Sequence, residues 1–169
     1  MRPSFQLVIV TPERQLLSHR VVEVTLPGAD GELGILAGHA PLITELGIGE
    51  MSYQPEYGDL PPTARANEVE QEFDPKFRDW RPTIAISRGF AEVLGDRVTV
   101  LAETAELPKE IDIERAKQAL ERAEKRIAAG PGTQDMDWDR ASAALQRAMV
   151  RLKVAEYAPK KRAVAVPGQ

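Results

Sequence analysis

Apolar and polar residues alternate along the first hundred positions of the chain, in short segments that are rich in β-branched side chains. A period of two is typical of a strand with one buried face, and the glycines, prolines and aspartates between the segments are typical of turns. The segments are SFQLVIV, RVVEVTLP, GELGILA, IGEMSY, TIAISRG, FAEVLG and RVTVLAE. Their spacing predicts an all-β domain over residues 1–105, either a sandwich or a barrel.

Two connections within this domain differ in kind. Gly95-Asp96 separates two strand segments by only two residues, which predicts a hairpin with a type II′ turn and Gly95 at positive φ. Residues 54–82 instead contain five of the thirteen prolines, and seven acidic against four basic residues. We interpret this stretch as a long, exposed, acidic and proline-rich insertion between two strands.

After Pro108 the apolar spacing changes from two to alternating three and four, which is typical of amphipathic helices. The first series is Ile113, Ala116, Leu120, Ala123 and Ile127, and the second is Trp138, Ala141, Leu145, Ala148, Leu152 and Ala155. A Gly130-Pro131-Gly132 loop separates them, and Asp135 or Asp137 is available as the second N-cap. The predicted fold class is therefore α+β. The β domain precedes an antiparallel two-helix hairpin over residues 106–158 and a flexible tail over 159–169.

Composition and charge narrow the chemistry of the chain. The absence of cysteine excludes disulfides, thiolate metal sites and thiol nucleophiles. No apolar run approaches the roughly 20 residues of a membrane-spanning helix, and no signal peptide is expected. The net charge of −4 is distributed unevenly along the chain. From Glu106 onward there are 13 basic and 10 acidic residues, and before Glu106 there are 9 basic and 16 acidic residues. This division favours two modules that face different partners.

The stretch GADGELGILAGHAPL, residues 28–42, contains four glycines. It lacks the Gly-Lys-Ser/Thr end of a phosphate-binding loop, so we interpret its glycines as residues that permit turns and close backbone approach. His19 and His39 are the two histidines, and no metal-ligand spacing accompanies them. We therefore expect both histidines to be packed or surface residues, and we expect no metal.

Catalytic motifs are also missing from the sequence. No serine stands in a Gly-x-Ser-x-Gly elbow, which removes support for a serine hydrolase. Asp135, Asp137 and Asp139 alternate as in a calcium loop, but Arg140 stands where that loop requires glycine. Helix capping explains these aspartates better. We therefore expect that the chain is not an enzyme and that it requires no cofactor.

Two motifs nevertheless carry a family resemblance. Residues 31–36, GELGIL, followed by residues 38–42, GHAPL, resemble the N-terminal signature of the ε subunit of bacterial-type, proton-translocating F-type ATP synthases. Residues 111–116, IDIERA, with 140–141, RA, and 146–149, QRAM, are similar to the C-terminal helical hairpin of that family. Apart from the insertion, the resemblance covers nearly the whole chain.

The resemblance implies that the N-terminal all-β domain is a sandwich. The same resemblance implies a noncatalytic subunit of the central stalk, or rotor, that links the γ subunit to the c-subunit ring during proton-driven ATP synthesis. It also implies that the hairpin can extend into the α/β catalytic head and inhibit ATP hydrolysis. Such a protein is expected at the cytoplasmic face of the cell inner (plasma) membrane. It would be peripheral there and held to the membrane only through the complex, and no nucleic acid is an expected partner.

The resemblance also assigns contact residues. It places Glu32 and His39 at the contact with the c ring, although Glu32 can also be interpreted as a solvated turn residue. Several basic residues on the first helix would pair with an acidic surface of the catalytic head. Exposed ion pairs contribute only about 0–1 kcal/mol each, so several of them must act together. These residues are Arg115, Arg122, Lys125 and Arg126.

Some bacterial members of the family bind ATP on the folded hairpin through an Ile/Leu-Asp-x-x-Arg-Ala motif and arginines of the second helix. The matching positions here are Glu106, Ile111, Asp112, Arg115, Ala116, Arg147 and Arg151. Independently, folding the chain about Thr133 brings Arg115 level with Arg151, and Arg147 lies on the same helix face four residues before Arg151. ATP is therefore a candidate regulatory ligand. The alternative is a salt-bridge network that only closes the hairpin.

Two further hypotheses for the whole chain stay open. The chain could be a stand-alone ATP-binding sensor or adaptor whose hairpin opens and closes with the nucleotide, and copurification with synthase subunits would distinguish this from a rotor subunit. A free-standing enzyme is the other hypothesis, but we find no nucleophile with a base and no paired acids in an identifiable pocket.

Overall fold

The computed structural model describes residues 3–56, 81–129 and 137–158. Six strands are followed by a short 3-10 helix and two α-helices. In chain order they are β1 (Phe5–Val10), β2 (Gln15–Gly28), β3 (Gly31–Leu36), β4 (Leu42–Pro55), β5 (Thr83–Leu94), β6 (Arg97–Glu106), the 3-10 helix (Pro108–Glu110), α1 (Ile113–Ala128) and α2 (Trp138–Ala155). The predicted α+β class, with strands first and the helix pair last, is confirmed.

The strands form one sheet in the order β1-β6-β5-β4-β2-β3. Neighbouring strands are antiparallel, except that β1 and β6 run parallel. β1 also pairs with β2, with Leu7 opposite His19, so the sheet closes on itself. Its two halves therefore face each other across a common core, as a sandwich requires.

The core of the sandwich is filled by the alternate, inward-facing residues of these strands. Burying an aliphatic side chain of this size stabilises the fold by roughly 1.5–3 kcal/mol. The largest fully buried side chains are Leu7, Ile9, Leu26, Ile35, Leu46, Met51, Ile84 and Ile86. They come from β1 to β5, so this core ties distant parts of the sequence together.

The buried face of β5 changes from even to odd positions halfway along the strand. The core residues are Ile84 and Ile86 before the change, and Ala91 and Val93 after it. Between them, Arg88 and Gly89 both have positive φ, 50° and 132°. A Cβ atom on Gly89 would lie 2.0 Å from the carbonyl oxygen of Leu101, so only glycine fits there.

This change of face corrects one sequence prediction. TIAISRG and FAEVLG are predicted as separate strands, but they form the single strand β5. The positive φ angles at Arg88 and Gly89 bend the strand without ending it, because the pairing to both neighbours continues in the same register on either side. The sandwich therefore has six strands in the described residues, not seven.

The turn between β5 and β6 matches the sequence prediction. Leu94 pairs with Arg97, so Gly95 and Asp96 are the two turn residues. Gly95 has φ of 61°, and Asp96 is not among the described residues with positive φ. Positive φ at the first turn residue alone is the type II′ arrangement, which confirms the predicted turn.

The two helices pack through the predicted apolar seams. The buried seam residues are Ala116 and Ala123 on α1, and Ala141, Ala148 and Ala155 on α2. Asp112 caps α1 and Asp137 caps α2, each through a side-chain oxygen that accepts from the backbone N–H three residues later. Ile113 and Trp138, at the N-terminal ends of the seams, are exposed instead of packed.

The hairpin docks on the sandwich through α2, which contacts β4 and β5. A second apolar cluster forms there, separate from the sandwich core, and consists of Ala85, Ile111, Val154 and Ala155 with Val150 against it. Ala85 reaches it because alternate residues of β5 face opposite sides of the sheet. The strand thus contributes to both clusters.

Several sequence predictions lie outside the described residues. These are most of the insertion, the Gly130-Pro131-Gly132 loop, the Asp135 alternative for the second N-cap, and the tail over 159–169. The predicted start of the insertion at position 54 is two residues early, because β4 continues through Pro55. No described helix combines the length and the apolar character that crossing a bilayer requires.

Candidate functional site

A shallow groove lies where α2 meets the middle of β4, the first half of β5 and the end of β6. Little of the groove is enclosed, so any nucleotide held here would lie largely at the surface. Apolar residues line one part of the groove: Ile48, Ala85, Ile86 and Val150. Polar residues line the other part: Ser87, Thr104, Glu106, Arg147 and Arg151.

Glu106 and Arg151 form the ion pair of this groove. Arg151 Nε donates to Glu106 Oε2 at 2.5 Å, and about 30% of each side chain is exposed. Glu106 ends β6 and Arg151 lies in the last turns of α2, so the pair joins the sandwich to the hairpin. The prediction that these two residues share one site matches their position, but their role in binding a ligand stays a prediction.

Arg147 lies one turn before Arg151 and also lines the groove. Partial burial is the largest of the effects that lower its pKa, and the positive charges of Arg151 and Arg88 lower the pKa further. The acidic Glu103 opposes this effect. Within the described residues, the Arg147 guanidinium forms no salt bridge. It is therefore a half-buried cation with donors available to an anion.

The first helix contributes less to the groove than its motif implies. Ile111 is buried in the docking cluster, Ala116 is buried in the seam, and the Asp112 carboxylate accepts from the backbone N–H of Arg115 at 2.9 Å. These positions explain all three residues structurally. The Arg115 side chain is exposed and does not line the groove. The structure thus brings together Glu106, Arg147 and Arg151, and leaves Arg115 outside.

The two residues assigned to the c ring lie on and after β3. Glu32 is exposed at the start of β3, opposite Pro27. Its charge also helps to raise the pKa of Lys153, after the larger effects of the hydrogen bond and charge of Glu50. His39 is half-buried in the loop after β3, and its Nδ1 lies 2.8 Å from the carbonyl oxygen of Ala40. Contact of either residue with a c ring stays a prediction.

The basic residues assigned to inhibition all lie on the exposed surface of α1. At 100° per residue, Arg115, Arg122 and Arg126 lie within about 40° of one another, with Lys125 beside them. In the part of the chain that the structure describes, none of the four forms a salt bridge. We call these four residues the basic stripe. It is available to an external acidic surface.

Sequence reasoning missed the polar contacts that fasten the hairpin to the sandwich. Gln146 Nε2 donates to the carbonyl oxygen of Ile48 at 3.1 Å, and Lys153 forms an ion pair with Glu50. In a third contact, Arg14 donates to the carboxylate of Glu110 at 2.6 Å. The partners are about one hundred positions apart in the sequence, and exposed polar residues of this kind carry no periodic signal. Among the described residues, no group of three or more potential metal ligands occurs.

Comparison with known proteins points to one family. Residues 4–63 match the family described as "ATP synthase, Delta/Epsilon chain, beta-sandwich domain", and residues 109–156 match "ATP synthase, Delta/Epsilon chain, long alpha-helix domain". The ATP synthase epsilon chain of Syntrophobacter fumaroxidans is 43% identical over 157 residues, covering 92% of this chain and 98% of the relative. That of Geotalea uraniireducens is 40% identical over 161 residues, covering 95% and 100%.

Among solved structures, a chain in the cryo-EM structure of the Euglena gracilis mitochondrial ATP synthase, OSCP/F1/c-ring, is similar with a TM-score of 0.64. The two chains share 23% sequence identity over 91% of this chain and 82% of the other. At this identity the likeness shows a shared fold.

Proposed function

The chain belongs to the family of ATP synthase epsilon chains, and from this premise we propose that it is a noncatalytic subunit of the central stalk. In this role it links the γ subunit to the c ring and restrains ATP hydrolysis through its hairpin. It lies peripherally at the cytoplasmic face of the plasma membrane, attached through the complex. Catalysis belongs to other subunits.

The observation that carries the regulatory part is the way the hairpin is fastened. The docking cluster contains only four buried residues, two of which are alanine. Its polar contacts are partly exposed, and such pairs contribute only about 0–1 kcal/mol each. Apart from Ala155, which belongs to both, the seam between α1 and α2 is separate from the docking cluster, so the hairpin can leave the sandwich and keep its seam. This supports a hairpin that docks reversibly.

The sandwich offers a surface for the γ subunit. Phe90 and Leu101 are cross-strand neighbours on β5 and β6, and their side chains are 55% and 54% exposed. Ile43 on β4, opposite Glu92, is 72% exposed. Adjacent exposed apolar residues are typical of a protein interface. We assign this face to γ because a rotor subunit must hold its partner permanently, even while the hairpin moves.

The groove beside α2 is the proposed ATP site. Arg147 and Arg151 would bind the phosphates, and Glu106 would accept from the ribose or the adenine amino group. Because the groove exists only when α2 lies on the sandwich, ATP would favour the docked form by its difference in affinity for the two forms. A coupling of about 1–3 kcal/mol changes the inhibited fraction several-fold.

Calorimetry with ATP tests this site. The parent chain is compared with Arg147→Ala and Arg115→Ala. Losing one charge-assisted contact costs about 1.5–3 kcal/mol, so Arg147→Ala is expected to weaken ATP binding at least tenfold. Arg115→Ala decides whether Arg115, which lies outside the groove in the structure, reaches the ligand. If millimolar ATP gives neither heat nor a thermal shift with the parent chain, the ion pair of Glu106 and Arg151 only fastens the hairpin to the sandwich.

A pull-down with the full chain as bait tests the rotor assignment. We expect γ and c subunits among the captured proteins, and a weaker capture of γ by Phe90→Asp. A matched Ile113→Asp variant changes an exposed apolar residue of α1 instead and should leave the capture of γ unchanged. If the chain is recovered without synthase subunits, it is the stand-alone sensor that the comparisons do not favour.

A further inference from the structure

Arg88 occupies an unusual position in the middle of β5. Its φ of 50° is in the left-handed region, and it is the only residue other than glycine with positive φ among those that the structure describes. This region favours glycine, because a side chain there crowds the backbone. Bridges to β4 and β6 form at Ser87 and at Gly89 but skip Arg88. An arginine therefore stands where glycine would be more stable, which is common at functional sites.

The neighbours of Arg88 belong to the groove. Ser87, immediately before it, lines the groove, as does Thr104, the partner of Ser87 on β6. Arg88 is also close enough to Arg147 for its charge to lower the pKa of Arg147, after the larger effects of burial and of Arg151. The Arg88 side chain is exposed and, within the described part of the chain, forms no salt bridge.

The charges around Arg147 are therefore unbalanced. Besides burial, the charges of Arg151, Arg88 and Arg140 all lower the pKa of Arg147, and among the described charges that act on it only Glu103 opposes them. Docking of α2 places Arg147 in the groove that is also lined by Ser87, the residue before Arg88, and like charges repel each other. An anion between these two arginines would remove the repulsion and bind to both sides of the interface.

We propose that Arg88 is a further ligand-binding residue that contacts the terminal phosphates of a nucleotide from the sandwich side, opposite Arg147. The inference rests on the proposed ATP site and adds to it a preference among nucleotides by the number of their phosphates. Guanidinium groups on two sides suit a chain of phosphates, since each can donate two hydrogen bonds to phosphate oxygens. The site then prefers nucleoside triphosphates and diphosphates to monophosphates.

Arg88→Gly is the informative variant. Glycine tolerates φ of 50°, so this change removes the guanidinium and relaxes the backbone instead of unfolding the strand. Arg97→Ala is the matched control, because it removes one exposed arginine at the far end of the β5–β6 pair. Both variants and the parent chain are titrated calorimetrically with ATP, ADP, AMP and inorganic tripolyphosphate.

Arg88→Gly is expected to weaken the binding of ATP and of tripolyphosphate at least tenfold, as the loss of a charge-assisted hydrogen bond does. AMP should change less than about threefold, and Arg97→Ala should change every ligand by less than about twofold, since an exposed distant charge acts weakly through water. The ratio of ATP to AMP affinity therefore falls in Arg88→Gly alone.

Three outcomes separate this inference from the proposed function. If Arg147→Ala loses ATP binding but Arg88→Gly does not, the role of Arg88 is overturned while the nucleotide site stands. If the parent binds tripolyphosphate but not ATP, and Arg88→Gly loses it, the anion site stands and the nucleotide function fails. If the parent binds no ligand at millimolar concentration, or Arg88→Gly and Arg97→Ala behave alike, Arg88 is not a binding residue.

Discussion

The two apolar clusters of the molecule differ in size and in the side chains that form them. The sandwich core contains 19 buried residues from all six strands, and many are large aliphatic side chains at full burial. The docking cluster contains four buried residues, two of them alanine. Since apolar stabilisation grows with the area removed from water, the first cluster holds a domain together and the second holds a hairpin in place reversibly. A stable part and a releasable part therefore share one strand, β5.

The largest effect is expected from a cavity in the sandwich core. Leu26 is fully buried, and Leu26→Ala should lower the free energy of unfolding by about 2–5 kcal/mol. Denaturant unfolding followed by circular dichroism measures this loss. A cost below about 1 kcal/mol would mean that the sandwich does not depend on its core as described.

The basic stripe on α1 should matter to hydrolysis and not to folding. Alanine at Arg115, Arg122, Lys125 and Arg126 removes up to four pairs with the catalytic head, worth together about 2 kcal/mol. ATP hydrolysis by the assembled synthase is expected to rise several-fold, with the melting temperature of the isolated chain nearly unchanged.

The matched control for the basic stripe replaces acidic residues that are exposed on the same helix, Glu121 and Glu124. Their removal should not relieve inhibition, because they repel an acidic partner surface. Unchanged hydrolysis in the stripe variant would place the inhibitory contact elsewhere.

A substitution in the docking cluster should have a smaller effect on stability, and the effect should stay local. Val154 is fully buried there, and Val154→Ala removes two methyl groups, worth about 1.5 kcal/mol at roughly 0.8 kcal/mol each. Hydrogen exchange should become faster in α2 and stay unchanged in the core strands β1 and β2, since local opening does not require global unfolding. Equal acceleration in both regions would contradict two separate units.

The smallest effect concerns pH. Partial burial alone would raise the pKa of Glu110, but hydrogen bonds from Arg14 and from the backbone N–H of Leu107 lower it below its ordinary value of 4.5. This contact therefore stabilises docking fully above pH 4.5 and less as the pH falls through the lowered pKa. Because the pair is partly exposed, the loss should stay under about 1 kcal/mol. Hydrogen exchange of α2 between pH 6 and 3 should show a steeper change in the parent than in Glu110→Gln.

Local features of the sequence predicted most of the fold. The caps Asp112 and Asp137, the alanine seams and the Gly95 turn depend on residues within one or two turns of each other, and all are present. The continuity of β5 depends on how the whole sheet bends at Arg88 and Gly89, which no local pattern shows. The sequence therefore predicts two strands, TIAISRG and FAEVLG, where the structure has one bent strand.

The candidate site was predictable only in part. Counting from the loop sets the height of a residue along the hairpin, and Arg151 does lie beside Glu106. The position of a residue along the helix axis does not determine which side of the helix its side chain faces. For that reason Arg115 lies outside the groove. Arg88 could not be found from the sequence, because its relation to Arg147 exists only when α2 lies on the sheet.

The most direct test of the two-part molecule is removal of the hairpin. The cut should follow Leu107, since this residue packs against the sandwich core. Residues 1–107 are expected to fold cooperatively, to capture γ as well as the full chain does, and to assemble into a synthase whose ATP hydrolysis is no longer restrained. A truncated chain that is unfolded, or that no longer captures γ, would contradict the division of the molecule into two parts.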